Sequence, residues 1–264
     1  MNREDWLVII INAALDAGKE ILKIYDADFS VDTKADNSPI TLADKNAHNT
    51  IVKALEKTEI PILSEEGEQT AYTIRKNWDQ FWMVDPLDGT KEFVNKNGEF
   101  TVNIALIESG IPTMGVIYIP ATQTLYFADK LAYKIENFSE SIFSINNLLG
   151  KADQLPLTKT RSNYVVLASR SHMNETTINY INELKELYPN LIIQAKGSSL
   201  KLCTIAEGSA DVYPRFGPTM EWDIAAGHAI INATKGTVIN WDTKKSLHYN
   251  KENLLNPSFV VHRL

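Results

Sequence analysis

The chain of 264 residues contains one cysteine and no uninterrupted apolar run that approaches the roughly 18 residues of a membrane-spanning helix. A single thiol excludes a disulfide within the chain. Cys203 stands in the apolar run 202–206 with no activating partner beside it, which favours a buried structural thiol over a nucleophile. Residues 1–5 lack a secretory pattern. We therefore expect a cytoplasmic protein without a transmembrane segment.

Basic residues are scarce relative to acidic ones. There are 26 Lys and Arg against 33 Asp and Glu, so the formal net charge is −7. A general nucleic-acid binder normally presents a basic face, so we expect no nucleic-acid partner. A small phosphorylated substrate is compatible with this charge, because bound metal ions reverse its local sign.

The first half of the chain shows helical spacing followed by strand patterns. Apolar residues recur at helical spacing over 4–25 and again over 41–55. Residues 100–108, 114–119 and 125–128 mix β-branched and apolar residues and are joined by short turns. This pattern predicts an antiparallel meander.

Residues 131–160 are polar and irregular, and we place a domain boundary there. The prediction is an N-terminal α+β domain over 1–135 and a C-terminal α/β domain over 136–264. Strands and helices alternate in the second half, with strands at 165–168, 191–193, 212–213 and 237–239 and helices at 175–187, 200–206 and 223–233. Such alternation predicts an α/β layer with a parallel or mixed sheet.

Residues 81–90 are the part of the sequence that points most strongly to a functional site. An apolar strand, 81–84, runs into Asp85 and a proline that breaks the ladder, and Asp88, Gly89 and Thr90 follow. Two carboxylates three residues apart on a rigid turn can converge on a hard cation such as Mg²⁺. The amides of Gly89 and Thr90 can face an anion. The alternative is an ordinary turn, because Asp, Pro and Gly are common turn residues.

Three further acids each have a structural and a functional interpretation. Thr41 and Asp44 have the spacing of a capping box, which by itself accounts for Asp44. Glu65 follows a short strand and stands in a pair of acids before a glycine, which is usually a solvated turn, and a metal role requires that strand to lie beside the one ending at Asp85. Asp223 is either a helix N-cap or a third carboxylate projecting to the same place.

Three basic residues are candidates for recognising an anion: His172, Lys201 and Arg215. Such residues usually lie on solvated surfaces or take no part in chemistry. Their placement in turns and strand-to-helix segments of the α/β half, where ligands tend to bind, favours the functional interpretation.

These acids stand in three ordered motifs: Glu65 at a strand end, Asp-Pro-Leu-Asp-Gly-Thr at 85–90, and Trp-Asp-Ile-Ala-Ala-Gly at 222–227. Together they resemble the lithium-sensitive, Mg²⁺-dependent phosphatases of the inositol monophosphatase superfamily, over nearly the full chain. Within it the sequence looks most like the bacterial CysQ-type 3′(2′),5′-bisphosphate nucleotidases, on the stretches 34–39, 88–93, 97–106, 197–201 and 213–219. Inositol monophosphatases generally carry Thr-Asn-Phe where this chain has Lys-Glu-Phe at 91–93.

The resemblance implies a layered α/β/α/β/α fold with a site between the two halves. It assigns two or three Mg²⁺ ions to Glu65, Asp85, the carbonyl of Leu87, Asp88 and Asp223. It assigns activation of the attacking water to Asp44 and Thr90. It places the substrate against Glu65, Leu87, Asp88, Gly89, Thr90, His172, Ser198, Lys201, Arg215 and Asp223.

The activity that the resemblance implies is hydrolysis of the 3′-phosphate of 3′-phosphoadenosine 5′-phosphate to AMP and phosphate by metal-activated water, in sulfur assimilation and nucleotide recycling. The closest alternative is a phosphatase of the same superfamily acting on inositol phosphate or fructose 1,6-bisphosphate. Another is a non-catalytic nucleotide-binding regulator, which predicts missing metal ligands. The resemblance also raises peripheral association with the cytoplasmic face of the inner membrane, for which the sequence shows no anchor. Both a monomer and a homodimer are compatible with it.

Overall fold

Two β-sheets and the helices packed on them make up the computed structural model, which describes residues 1–27, 39–157, 161–168 and 174–264. The helices are α1 (Arg3–Tyr25), α2 (Pro39–Leu55), α3 (Tyr72–Arg75), α4 (Thr90–Val94), α5 (Ile145–Leu149), α6 (Glu175–Leu187), α7 (Leu200–Ala206) and α8 (Glu221–Ala233). The strands are β1 (Ile62–Ser64), β2 (Gln80–Asp88), β3 (Thr101–Glu108), β4 (Ile111–Ile119), β5 (Thr124–Ala128), β6 (Ala132–Ile135), β7 (Asp153–Gln154), β8 (Tyr164–Ala168), β9 (Leu191–Ala195), β10 (Val212–Arg215), β11 (Thr237–Asn240) and β12 (Phe259–His262).

The first sheet has the strand order β1-β2-β3-β4-β5-β6-β7. The antiparallel meander predicted for β3, β4 and β5 is confirmed. The sheet is mixed, because β1 pairs with β2 in parallel, with Ser64 opposite Val84. This parallel pair brings the residues that follow Ser64 and Val84, Glu65 and Asp85, to the same edge of the sheet.

Strand β2 does not end at Asp85, as the proline after it had suggested. It continues to Asp88, with a register shift against β3 between Asp85 and Asp88. The proline is accommodated at this irregularity, where ladder hydrogen bonds are already interrupted. The shift therefore keeps both carboxylates on one rigid strand rather than on a turn beyond it.

The second sheet has the order β11-β12-β10-β8-β9. Strands β8, β9 and β10 are parallel, and β12 runs antiparallel to β10 and β11. The mixed sheet predicted for the second half is confirmed. Strand β12 was not predicted, because an isolated apolar run near the chain end has no neighbouring helix pattern to identify it.

The layers follow from which faces are buried. The helices α1 and α2 cover one face of the first sheet, in a core with Trp82, Ile104 and Val116. The other face packs through α7 and α8 onto the second sheet. Helix α6 covers the far side of that sheet. This is the predicted α/β/α/β/α order.

Local signals define α1 well. The Asn2 side chain accepts a hydrogen bond from the Asp5 amide, and the Asp5 carboxylate accepts one from the Asn2 amide, which closes a capping box. Among the described helices, none combines the length and the apolar character that crossing a membrane requires.

Residues 131–157 contain more secondary structure than the polar composition of the segment 131–160 suggested. It contains β6, α5 and β7, and β7 still belongs to the first sheet. The first sheet therefore extends beyond residue 135, although the division into domains over 1–135 and 136–264 stays a prediction. Short strands such as β6 escape pattern analysis because only their end residues, Ala132 and Ile135, are fully buried.

Gly115 in β4 sets how closely α8 packs on the first sheet. A Cβ at Gly115 would lie 2.5 Å from the carbonyl oxygen of Ala226 and 3.0 Å from Cβ of Ala229. We expect Gly115→Ala to lower the free energy of unfolding by about 1–3 kcal/mol, because backbone atoms of α8 must move. The matched control is Gly150→Ala, whose new Cβ would meet only the Asn147 carbonyl oxygen, at 3.9 Å. Equal stability of the two variants in urea denaturation would contradict this packing account.

Candidate active site

Three carboxylates from separate elements converge at one edge of the first sheet. Glu65 follows β1, Asp85 lies in β2, and Asp223 is the third residue of α8. Each offers an oxygen, and these three oxygens all lie within 4.8 Å of one another. A metal role for Glu65 requires its strand to lie beside the strand that carries Asp85. The parallel pairing of β1 with β2 meets this requirement. Such oxygen donors suit a hard divalent cation.

Asp223 accepts a hydrogen bond at 3.0 Å from the amide of Met220, which is the N-cap of α8. The interpretation of Asp223 as the N-cap itself was therefore wrong. A carboxylate in the first helical turn is stabilised by the unpaired amides there. This position also directs Asp223 toward Glu65 and Asp85.

Asp88 stands at the end of β2 on the other side of the register shift. Its Oδ2 accepts a hydrogen bond at 2.5 Å from the hydroxyl of Ser198, which lies before α7. The amide of Leu87 donates to Oδ1 of Asp85 at 3.1 Å. Asp88 thus connects the carboxylates that suit a divalent cation to the second half of the chain.

Asp44 lies inside α2, which begins at Pro39. The capping-box interpretation was wrong, because the helix already begins before Thr41. Asp44 is buried, and its Oδ1 has no hydrogen-bond partner among the described residues. A buried acceptor without a partner is costly, which is consistent with a place for water or a cation beside it.

Thr90 is the exposed first residue of α4 and follows Gly89, whose φ is +91°. A Cβ at Gly89 would lie 3.0 Å from the carbonyl oxygen of Glu99, so both the conformation and the space require glycine. No hydrogen bond joins Asp44 to Thr90 within the part of the chain that the structure describes. Their predicted pairing stays a prediction.

We call Asp44, Glu65, Asp85, Asp88 and Asp223 the acid cluster. Burial, followed by repulsion from neighbouring acids, raises the pKa of Asp44 to about 8 and that of Glu65 to about 7. The same causes raise the pKa of Asp223 to about 7 and that of Asp85 well above its usual value. Burial also raises the pKa of Asp88. A bound cation would reverse this effect, because it favours the ionised forms.

A cavity of about 130 Å³ adjoins the acid cluster and is lined by Asp88, Ser198, Lys201, Arg215 and Asp223 among others. It lies between elements of both halves, as the resemblance implied. These five residues and Gly89, six of the predicted substrate contacts, therefore meet there. His172, the remaining basic candidate, lies outside the described residues.

Lys201 and Arg215 give this cavity a cationic wall. Lys201 is buried, and its Nζ donates to the carbonyl oxygens of Ser198 at 2.6 Å and Lys196 at 3.2 Å. Burial lowers the pKa of Lys201 to about 8, although nearby Asp88 opposes the shift. Arg215 donates through Nη2 to the Pro218 carbonyl oxygen at 2.7 Å. Its buried Nε lacks a partner among the described residues.

Several cavity residues were not predicted as site residues. Lys91 and Glu92 from α4 and Tyr213 from β10 also line it. Gly197 makes room for Glu92, because a Cβ at Gly197 would lie 2.7 Å from Glu92 Cγ. The available signal was the Lys-Glu-Phe stretch at 91–93, which sets this chain apart from the inositol monophosphatases.

The chain is similar to known proteins over almost its whole length. A model of the inositol monophosphatase family matches residues 2–263. The 3′(2′),5′-bisphosphate nucleotidase CysQ of Escherichia coli (strain K12) is 42% identical over 257 residues, which cover 96% of this chain and 97% of that protein. The protein of the same name from Buchnera aphidicola subsp. Acyrthosiphon pisum is 44% identical over 264 residues, with coverage of 97% and 92%.

Solved structures agree with the fold. The crystal structure of CysQ from Bacteroides thetaiotaomicron, a bacterial member of the inositol monophosphatase family, superposes with a TM-score of 0.94 at 47% identity and covers 98% of this chain and 97% of that one. An inositol monophosphatase from Zymomonas mobilis shares the fold at 21% identity, with a TM-score of 0.73 and coverage of 99% and 94%. The predicted fold class is confirmed.

The raised pKa values of the acid cluster predict how stability depends on pH. The folded chain keeps protons that the unfolded chain loses near about pH 4, so the free energy of unfolding of the metal-free chain falls as pH rises toward about pH 8. In chelator we expect the melting temperature to drop by about 5 °C between about pH 5 and about pH 8. Saturating Mg²⁺ should abolish most of that drop, and Asp85→Asn, with one titrating group fewer, should reduce it. A melting temperature that rises over this range in chelator would contradict the account.

Proposed function

The chain belongs to the inositol monophosphatase family, and we propose that it is a Mg²⁺-dependent 3′(2′),5′-bisphosphate nucleotidase that hydrolyses the 3′-phosphate of 3′-phosphoadenosine 5′-phosphate to AMP and phosphate. The observation that carries the proposal is one cavity lined both by the carboxylates Asp88 and Asp223, which belong to the acid cluster, and by the buried Lys201 and Arg215. A substrate with two phosphate groups matches this combination, because one phosphate can meet the metal site and the other the two cations.

The donor set fits a hard divalent cation. Glu65, Asp85 and Asp223 supply oxygens that lie within 4.8 Å of one another. The Oδ1 of Asp44 is buried near other acids and has no hydrogen-bond partner among the described residues. Glu65, Asp85, Asp88, Asp223 and the carbonyl of Leu87 would hold two or three Mg²⁺ ions. When bound, Mg²⁺ lowers the pKa of water and stabilises negative charge on the leaving oxygen.

The chain's own residues orient the reactants. Asp44 and Thr90 would align the attacking water, and the Asp44 carboxylate, ionised when the cations are bound, would receive its proton through the Thr90 hydroxyl. The amides of Gly89 and Thr90, at the start of α4, would donate to the phosphate oxygens. Water attacks the phosphorus from the side opposite the leaving 3′-oxygen, which takes up a proton as AMP is released.

The cationic wall would bind the phosphate that does not react. The Lys201 ammonium and the free Nε of Arg215 are both buried, so their charges act at low screening. An inositol monophosphate has no second phosphate for this wall. The two relatives at 42% and 44% identity are bisphosphate nucleotidases by name, which supports the same substrate class.

The alternatives have distinct requirements. A non-catalytic regulator predicts lost metal ligands, whereas every predicted acid is present in the sequence. A phosphatase for inositol phosphate or fructose 1,6-bisphosphate would use the same acid cluster with other outer contacts. The cytoplasmic location and the choice between monomer and homodimer stay predictions.

We expect the full chain to release phosphate from 3′-phosphoadenosine 5′-phosphate with Mg²⁺ and not with chelator, and to act far more slowly on inositol 1-phosphate and fructose 1,6-bisphosphate. Asp85→Asn should lower kcat by at least about 100-fold and weaken Mg²⁺ binding, because it removes a central carboxylate. Asp153→Asn, at an exposed position of β7, is the control for loss of one acid. Near-native turnover by Asp85→Asn would refute the metal assignment, and a preference for inositol 1-phosphate would refute the nucleotide assignment.

The two lysines of the cavity allow a matched comparison. Lys201 is buried in the wall, whereas Lys91 lines the same cavity from an exposed position. We expect Lys201→Met to raise KM for the bisphosphate at least about tenfold, through loss of a charge-assisted contact with phosphate. Lys91→Met should have a much smaller effect, because solvent screens an exposed charge. Steady-state kinetics at saturating Mg²⁺ measure both, and equal effects would argue against Lys201 as the phosphate contact.

A further inference from the structure

The stretch 97–106 is one of those on which the chain looks most like the CysQ-type nucleotidases, but it takes no part in the proposed mechanism. Two of its polar side chains, Thr101 and Asn103 at the start of β3, are enclosed, with exposed fractions of 0% and 1%. Buried polar side chains require hydrogen-bond partners. Their partners therefore show what this stretch does.

The register of the first sheet places both residues beside the acid cluster. Thr101 is the Cα partner of Asp88, and Asn103 is the Cα partner of Asp85, across the antiparallel pair of β2 and β3. Directly opposed residues of such a pair point to the same face of the sheet. Thr101 and Asn103 therefore share a face with the two carboxylates.

Three hydroxyls connect this face to the segment before α7. Thr101 Oγ1 lies 2.8 Å from Oγ of Ser198 and 2.8 Å from Oγ of Ser199. Oδ1 of Asn103 lies 3.1 Å from Thr101 Oγ1 and 3.0 Å from Ser199 Oγ. Ser198 Oγ reaches Asp88 Oδ2 at 2.5 Å. These contacts run without a break from Asn103 to Asp88.

Counting the hydroxyl protons shows which group is the donor in each of these contacts. The Ser198 hydroxyl donates to Asp88 Oδ2, so the proton of Ser198 is used in that contact. Thr101 must then donate to Ser198, and Ser199 to Thr101. The three hydroxyl protons are thereby used, and the two contacts of Asn103 have none left.

The amide of Asn103 can supply the two missing protons. Its Nδ2 is buried and has no partner among the described residues. Rotating the amide by half a turn, which exchanges two groups of nearly equal size, brings the NH₂ group to Thr101 and Ser199. Every contact of the run then holds one proton.

We propose that Thr101 and Asn103 are positioning residues for Asp88, through a one-way chain of hydrogen bonds that starts at the Asn103 amide and passes through Ser199, Thr101 and Ser198 to the Asp88 carboxylate. Hydrogen bonds aligned in one direction strengthen one another. The chain holds the Asp88 carboxylate in one orientation. This inference deepens the proposed function, because it assumes that Asp88 is a Mg²⁺ ligand.

The same chain also holds the cationic wall in place. Ser198 has a φ of +48°, a conformation that is uncommon for residues other than glycine. Its hydroxyl binds Asp88 and Thr101, and its carbonyl oxygen accepts from Lys201 at 2.6 Å. Thr101 therefore fixes the residue that stands between the acid cluster and Lys201.

The test is the affinity of the metal-free full chain for Mg²⁺, measured by calorimetry without substrate. We expect Thr101→Val, which keeps the shape and removes the hydroxyl, to weaken Mg²⁺ binding about tenfold. Thr101→Ser, which restores the hydroxyl, should return the affinity close to the native value. The control is Thr234→Val, at a buried hydroxyl that donates to the Ile231 carbonyl oxygen away from the site and should leave the affinity unchanged.

A double-mutant cycle tests the route through Ser198. If the chain passes through Ser198, Thr101→Val should add little to the loss caused by Ser198→Ala, whereas fully additive losses would overturn the proposal. Circular dichroism checks that each variant is folded, and Asn103→Leu provides a second break where Thr101→Val does not fold. Native affinity in Thr101→Val, or a folded Thr101→Ser as weak as Thr101→Val, would also overturn it. Failure of the proposed function would appear separately, as absence of phosphate release by the native chain.

Discussion

The crowding of the five carboxylates of the acid cluster at one place is the constraint on which the rest of the structure depends. Loss of solvent, followed by repulsion between neighbouring acids, raises their pKa values, so in the absence of a cation the free energy of unfolding falls as pH rises toward about 8. The acids stay close together despite this loss of stability, because the secondary-structure elements that carry them are held in place by the rest of the fold. The parallel β1–β2 pair fixes Glu65 against Asp85, and the N-terminal turn of α8 fixes Asp223.

The site exists only where the two sheets are held at a set spacing. Helices α7 and α8 lie between the sheets, and small residues allow them to approach closely. Gly115 admits the backbone of α8 at Ala226, and Gly227 of α8 lies against Leu202 of α7. One helix presents Asp223 and the other presents Lys201. The packing of this middle layer therefore sets the distance between the acids and the cationic wall.

Much of this arrangement could be predicted, because the informative residues are close together in the sequence. Residues 85–90 predict a metal site and a phosphate contact within six positions, and the structure places Asp85 beside Glu65 and Asp223. The structural interpretations of Asp44 and Asp223 failed for one reason, namely that each assumed a helix start displaced from the observed one. The role of Thr101 could not be predicted, because its partners Ser198 and Ser199 are about one hundred residues away and only the fold brings them together.

The single thiol of the chain has a practical consequence. Cys203 is enclosed in α7, two positions after Lys201, and burial raises its pKa well above the usual value. A thiol reagent should therefore react with it slowly, and faster whenever the middle layer opens by local unfolding. The rate at which the native protein is labelled would report how often α7 leaves its place between the sheets, with no engineered probe.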